Sequence, residues 1–158
     1  MPQTEWITPL IAFGASLATA VITSKITVHL ALKRFYSEKW WERKSAAYTQ
    51  VVEALHHLRE HADTNLTFSL LQKDLPPDGE KELTDKLQQA MAELRKQRDI
   101  GSFVIAEEAV AEINKLFAEL DKSTKTQHWQ EYLDYRLAAI DRCIPEIRRI
   151  AKSDLALN

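Results

Sequence analysis

Cysteine occurs once in the 158 residues, glycine three times and proline five times. A single cysteine, Cys143, excludes a disulfide framework and any zinc site built from several thiolates. No P-loop, Gly-rich dinucleotide turn, nucleophile elbow or Cys/His ligand series is present, which removes the common signatures of nucleotide and acyl-transfer chemistry. Charge of one sign is not in excess either. The 21 Lys and Arg against 23 Asp and Glu give a net charge of −2, so no global basic field exists to hold nucleic acid. Few glycines, little aromatic repetition and plentiful Ala, Leu, Glu, Lys and Gln predict an all-α protein. The length suits a single domain.

Charge is unevenly distributed. From Ile7 to Ser24 eighteen consecutive residues carry none, and apolar character resumes after Lys25 through Leu32. A bilayer core of about 30 Å needs roughly 20 such residues at 1.5 Å rise each, which predicts a single N-terminal transmembrane helix over residues 7–32. A cleavable signal peptide would want a basic leader, yet Met1 to Trp6 carries only Glu5; a buried core helix is the other alternative. Lys33, Arg34, Lys39, Arg43 and Lys44 follow the span and no Lys or Arg precedes it. Basic flanks stay in the cytosol, so residues 1–6 are expected outside and the rest inside a bacterial cytoplasmic membrane. Phe35, Tyr36, Trp40 and Trp41 among those basic residues read as an interfacial aromatic belt, with packing of the Trp pair into the cytosolic domain as the alternative. The unpaired Cys143 suits a reducing compartment.

Within the span, side chains are sorted by size. At 100° per residue Ala12, Ala15, Ser16, Thr19, Ala20, Thr23, Ser24 and Thr27 share one stripe, and Leu10, Phe13, Leu17 and Val21 lie on the other side. Small residues allow close helix approach, which makes the stripe a candidate homo-oligomer face. Two other readings stand beside it: hydroxyls lining a water-filled pore, or hydroxyls bonded to their own helix carbonyls. Lys25 and His29 are four apart on roughly the opposite face. A snorkelling lysine accounts for that pair, with pore gating or headgroup contact as the alternative.

Beyond the span, Tyr48, Val51, Val52, Leu55, Leu58, Ala62 and Leu66 step by three and four, as a helix does. Residues 33–75 are therefore expected to form a membrane-proximal stalk helix, packed against a neighbour or against the chain's own bundle. Leu75-Pro76-Pro77-Asp78-Gly79 is a loop signal. Residues 76–158 then complete the bundle: a helix from about Glu80 to Arg98 with Leu83, Leu87, Met91 and Leu94 on its stripe, a break at Asp99–Ser102, and a helix with Val110, Ile113, Leu116, Phe117 and Leu120. The last helix runs from about His128 to Lys152, and Pro145 is expected to kink or split it.

Candidate chemistry is sparse. His57 and His61 are four apart and share a helix face, but two ligands make no site, so no metal is expected. Glu107-Glu108 reads as charge at a helix N-terminus. Arg95, Lys96 and Arg98 form one basic group, and Arg142, Arg148, Arg149 and Lys152 a second. Bundle packing would make them an anion or ligand contact if it brought them together; pairing with Asp99, Asp141, Glu146 and Asp154 is the alternative. No cofactor and no enzymatic activity are expected, because no polar groups converge.

Three segments carry a resemblance: Arg34-Phe35-x-Ser37-Glu38-Lys39-Trp40-Trp41-Glu42-Arg43-Lys44-x-x-Ala47-Tyr48, then Asp99-Ile100-Gly101-Ser102-Phe103, then Arg149-Ile150-Ala151-Lys152-x-Asp154-Leu155. They resemble an uncharacterised family of small bacterial proteins with one N-terminal transmembrane helix and a helical cytosolic domain. The resemblance implies that architecture and no activity. The design is also similar to that of small membrane effectors of antiviral defence systems. Two functions are therefore expected of the chain. One is a membrane-anchored oligomeric interaction or scaffold module. The other is a pore-forming or membrane-disrupting effector triggered through its cytosolic domain. The partners expected are the lipid bilayer, further copies of the chain, and a cytosolic protein or nucleotide-like trigger.

Overall fold

In a computed structural model, which describes residues 7–123 and 128–156, with side chains from Thr23 onward apart from Ser102 and Ser123, the protein is all-α. Its described elements are α1 (Ile7–Leu70), α2 (Pro77–Ile100), a 3-10 turn (Gly101–Phe103), α3 (Glu107–Ser123) and α4 (Trp129–Ala156). No strand is found among the described residues. The chain divides into two units, Met1–Trp40 and Trp41–Asn158.

In the first unit every described side chain, from Thr23 to Trp40, is exposed. Ile26, Val28, Leu30, Leu32, Phe35, Tyr36 and Trp40 are among the large apolar side chains left uncovered. Among the described residues no helix is long and apolar enough to cross a membrane; the side chains of residues 7–22, which carry most of the expected span, lie outside those described. The same holds for Ala12, Ala15, Ser16, Thr19 and Ala20 of the expected association face, whereas Thr23, Ser24 and Thr27 are described and exposed.

The second unit is a four-helix arrangement around one core. From α1 it takes Tyr48, Val51, Leu55 and Leu58, from α2 Ala90 and Leu94, from α3 Ile113 and Leu116, and from α4 Ile140, Cys143 and Ile147. Val51, Leu55, Leu94, Ile113, Ile140 and Ile147 are fully buried, each removal from water contributing about 1.5–3 kcal/mol before entropy is subtracted. The stripe from Tyr48 to Ala62 thus packs into the chain's own bundle. Within the expected stalk, one face from Ala47 to Leu58 is core, and its end at Leu70 and Leu71 is exposed.

The helix ends explain where the expected boundaries shifted. Helix α1 closes with the Lys73 N–H donating to the Phe68 carbonyl at 3.0 Å and the Gln72 N–H to that of Ser69 at 3.2 Å. This is a Schellman closure, and it places Gln72 at φ 53°, where glycine is the usual occupant. Helix α2 starts at Pro77 rather than Glu80. A proline in the first turn lacks an N–H that would have no intrahelical partner anyway, and its fixed φ suits the helix, so the Pro-Pro pair opens α2 rather than extending the loop. Asp78 and Glu80 add acidic charge to that turn, where the helix dipole favours it. At its other end, Gly101 stays right-handed at φ −63°. A Cβ there would lie 3.1 Å from Cδ1 of Ile105, so glycine serves close approach and not a left-handed turn. Helix α4 continues through Pro145 without the expected split. Pro145 is exposed, so water can take the carbonyl that the missing N–H leaves free, and the buried Ile140, Cys143 and Ile147 hold both sides of the proline to the core.

Replacing Gln72 with glycine removes the cost of a left-handed side chain. It is expected to stabilise the bundle by about 0.5–1 kcal/mol and raise Tm by about 2–3 °C in thermal melts followed by circular dichroism. A lowered Tm would mean that the Gln72 side chain contributes more than its backbone costs.

Candidate functional site

The most convergent polar group in the bundle joins α1, α3 and α4. Lys44 and Tyr48 stand one helical turn apart on α1, and Asp154 lies near the end of α4. The Lys44 Nζ donates to Asp154 Oδ1 at 2.9 Å, and the Tyr48 hydroxyl donates to Asp154 Oδ2 at 2.7 Å. The N–H of Ala106, just ahead of α3, is shared between the Tyr48 hydroxyl oxygen at 3.1 Å and Asp154 Oδ2 at 3.2 Å. That N–H belongs to the set a helix start cannot satisfy internally, so a carboxylate here both caps α3 and meets the positive end of its dipole. The Lys44 and Asp154 side chains are only 13% and 18% exposed, which makes this pair far better shielded than a surface salt bridge. One turn earlier, the Trp41 indole N–H donates to the Leu155 carbonyl at 3.3 Å. Trp41, expected in an aromatic belt, therefore packs on α4, the alternative given for the Trp pair.

Burial alone would raise the Asp154 carboxyl, but the hydrogen bonds from Lys44 and Tyr48, the Lys44 charge and the Ala106 N–H together hold it below its ordinary value. Burial pushes the Tyr48 hydroxyl well above the usual tyrosine range. The Ala106 N–H opposes that rise, and the Asp154 carboxylate adds to it. Tyr48 is thus a committed donor and Asp154 a committed acceptor. Their contribution to stability is present above the ordinary carboxylate range and is lost as pH falls through the Asp154 value. It is lost again as pH rises past the ordinary tyrosine range. The arrangement fixes three elements to one another.

The basic residues singled out in the sequence do not form one pocket. Lys96 pairs with Glu93 at 3.3 Å and Arg98 with Asp99 at 2.8 Å, the Arg98 guanidinium lying 5.3 Å from the Phe117 ring centre. Arg142 pairs with Glu119, and Arg149 with Glu146 at 2.8 Å. Arg95 is exposed. Local pairing takes four of the six arginines and lysines proposed for anion contact, and no described cavity is lined from both groups. Of the others, Arg148 lines an apolar groove together with Lys152.

In the first unit, Lys25, His29 and Lys33 are exposed. Arg34 pairs with Glu38 at 2.8 Å, Lys39 lies 5.9 Å from the Phe35 ring centre, and Phe35 meets Tyr36 edge-on at 6.0 Å. The two histidines have different surroundings. His57 Nδ1 faces Glu60 at 3.4 Å, whereas the buried His61 Nδ1 has no hydrogen-bond partner. Among the described residues no group of three or more His, Cys, Asp and Glu is placed to hold a metal. Glu107 and Glu108 occupy the first turn of α3 and are exposed. Burial pushes the Cys143 thiol up to about 12, which suppresses thiolate chemistry.

Sequence reading missed the Lys44–Tyr48–Asp154 junction. The available signal was Tyr48 itself: a tyrosine on a buried stripe needs a partner for its hydroxyl. No family model, curated protein or solved structure matches this chain.

Burial, reinforced by the Arg136 charge, lowers the His61 pKa from 6.5. A lowered value means the fold resists a proton that the unfolded chain accepts. Stability is therefore fully present above about pH 6.5 and falls as pH drops toward the folded value. Urea unfolding of the full chain at pH 7.5 and 5.5 is expected to show this loss, and His61→Gln to reduce it. An unchanged pH dependence in the variant would assign the loss to another group. Cys143 is expected to react with a thiol reagent only as fast as the bundle opens, and fast labelling in the folded state would contradict its burial.

Proposed function

We propose that this chain is a non-enzymatic, membrane-anchored helical protein whose bundle serves as an interaction module. In this reading one N-terminal helix spans a bacterial cytoplasmic membrane, with the N-terminus outside and the bundle in the cytosol. The observation that carries it is the exposed apolar series Ile26, Val28, Leu30, Leu32, Phe35 and Tyr36, separated by Lys25 alone from eighteen residues without charge. Nothing described in a single copy of the chain covers those side chains, and an uncovered apolar surface of this kind calls for lipid or another protein. Lys33, Arg34, Lys39 and Arg43 at its C-terminal end support the inward orientation. The resemblance carried by Arg34–Tyr48 supports the same architecture.

Copies of the chain associate, in this proposal, through the stripe from Ala12 to Thr27. The Thr27 hydroxyl donates to the Thr23 carbonyl of its own helix at 2.8 Å. A hydroxyl satisfied in that way tolerates lipid or a helix contact and has no need of a water-filled lumen, so a scaffold is favoured over a pore-forming antiviral effector.

Four measurements test the reading. The chain is expected to stay with membranes through alkaline carbonate extraction, and a tag at the N-terminus to be reached by external protease; release at high pH or a protected tag would contradict it. Ser16→Leu with Ala20→Leu is expected to weaken self-association by about 1–2 kcal/mol without affecting insertion. An unchanged oligomer mass in detergent would remove the stripe as the interface. Overexpression is expected to leave the membrane potential intact, and depolarisation that Thr19→Leu with Thr23→Leu suppresses would favour the effector instead.

A further inference from the structure

Contacts along α1 gather one set of chain segments at one end of the bundle. Trp41 reaches the Leu155 carbonyl and Tyr48 reaches Asp154, both in the last turns of α4. Gln97, near the close of α2, donates its side-chain amide to Gln50 Oε1 at 2.8 Å, and the Ala106 N–H ahead of α3 meets the Tyr48 hydroxyl. The 3-10 turn Gly101–Phe103 lies between those two points in the chain and so belongs to the same end. The opposite end carries Leu70, Leu71 and, through the contact of Gln130 to the Ser69 carbonyl, the start of α4. Along α1, Leu70 stands about 43 Å from Trp41 at 1.5 Å per residue.

Phe103 projects from the Trp41 end. It is 77% exposed, more than any other large apolar side chain among the described residues, and Ile100 beside it is 48% exposed. The turn itself holds the ring out. The N–H groups of Val104 and Ile105 both donate to the Gly101 carbonyl at 2.7 Å, and Ile105 takes the inward place in the core, packed closely on Gly101. Trp41, 44% exposed, adds a second ring at this end. Together the three side chains leave about 400 Å² uncovered, half of the roughly 800 Å² per partner that a standard protein interface buries. Charge adds little for an anionic partner: Arg98 is paired with Asp99 at 2.8 Å, and Glu107 and Glu108 are exposed at the start of α3. A bilayer surface asks for no matching shape and accepts isolated rings at the headgroup boundary.

We propose that this end of the bundle rests on the bilayer surface, with the Phe103 ring inserted among the lipid headgroups and upper acyl chains. The inference rests on the membrane reading above. In that reading Trp40 closes the exposed apolar series, and one peptide bond joins it to Trp41, so no linker separates the anchor from the bundle. The end bearing Trp41 is therefore within reach of the surface, and the end bearing Leu70 is not. Tyr48 lies about 10 Å along α1 from Trp41. The three residues from Ala106 back to Phe103 span up to about 10 Å, enough to return to the level of Trp41. The contact is made by apolar side chains and does not select anionic lipid.

The test uses the full chain in phosphatidylcholine vesicles that include a phosphatidylcholine with a diazirine near the top of one acyl chain. After irradiation, lipid adducts are mapped by mass spectrometry of the peptides. Label is expected on the first unit and on the peptide holding Ile100–Phe103, and not on those holding Leu70–Leu71 or Trp129. Phe103→Ser changes an exposed side chain outside the core and is expected to lose the label at the turn while keeping that in the first unit. Phe103→Trp is expected to keep both, and Ile100→Ser to weaken the turn label alone. Label in the first unit with none at the turn overturns the docking and leaves the anchor standing. Absence of label from the first unit overturns the anchor, and the docking with it. Turn label that Phe103→Ser retains, or that Leu70–Leu71 matches, overturns the docking. So does turn label that appears only when phosphatidylglycerol is added, because basic side chains would then make the contact. Crosslinks between copies from a benzoylphenylalanine at position 103 would make a second chain the occupant and overturn it as well.

Discussion

The Asp154 carboxylate accepts from an ammonium and a phenol on α1 and from the backbone N–H that opens α3, all largely out of water. Such a group is stable when donors and an opposite charge compensate it, because a charge taken from water and left unmatched costs several kcal/mol. Tyr48 sits on the core stripe of α1, so its position is set by the same packing that buries Val51 and Leu55. Asp154 and Ala106 must come to it. The consequence is that the end of α4 and the start of α3 are fixed to one turn of α1, and the Trp41 contact to Leu155 extends that attachment to the first residue of the bundle. The groove between α1 and α4 also takes its form from this junction, since Tyr48 and Leu155 are two of its walls.

Apolar periodicity made the helices and most of their core faces legible in the sequence. The stripe from Tyr48 to Ala62 and the set Ile113, Leu116 and Leu120 are buried as their spacing requires. Boundaries were less legible where one residue type serves two purposes. Pro76-Pro77 signals both a loop and a helix start, and only its place after the Gln72 turn decides which. Pro145 reads as a helix breaker until its exposed position and the buried residues on either side are known. Residues of the polar junction are separated by 106 and 110 positions for Tyr48–Asp154 and Lys44–Asp154. No periodicity encodes such a distance. The basic groups failed as a pocket for a related reason: acids at short spacing, Glu93, Asp99 and Glu146, neutralise Lys96, Arg98 and Arg149, Glu119 takes Arg142, and geometry alone reveals that Arg95, Arg148 and Lys152 are left over.

The two units differ in how they satisfy their apolar surface. In the bundle, four helix faces cover one another. In the first unit the described apolar side chains are exposed. The proposal of a membrane anchor rests on that contrast within one sequence. The chemistry of the bundle fits the same division. The Cys143 thiol and the Tyr48 hydroxyl are held in their protonated forms and the Asp154 carboxylate in its charged one.

The junction's role is tested most directly by a double-mutant cycle of Lys44→Met and Asp154→Asn, measured by urea unfolding of the full chain at pH 7. Removing either partner alone leaves the other largely buried and unmatched, and is expected to cost about 3 kcal/mol. Removing both is expected to cost less than the sum, with a coupling energy of about 1–3 kcal/mol between residues that touch. Costs that add to within about 0.5 kcal/mol would contradict the account, because they would make the pair a bystander to the packing of α1 against α4.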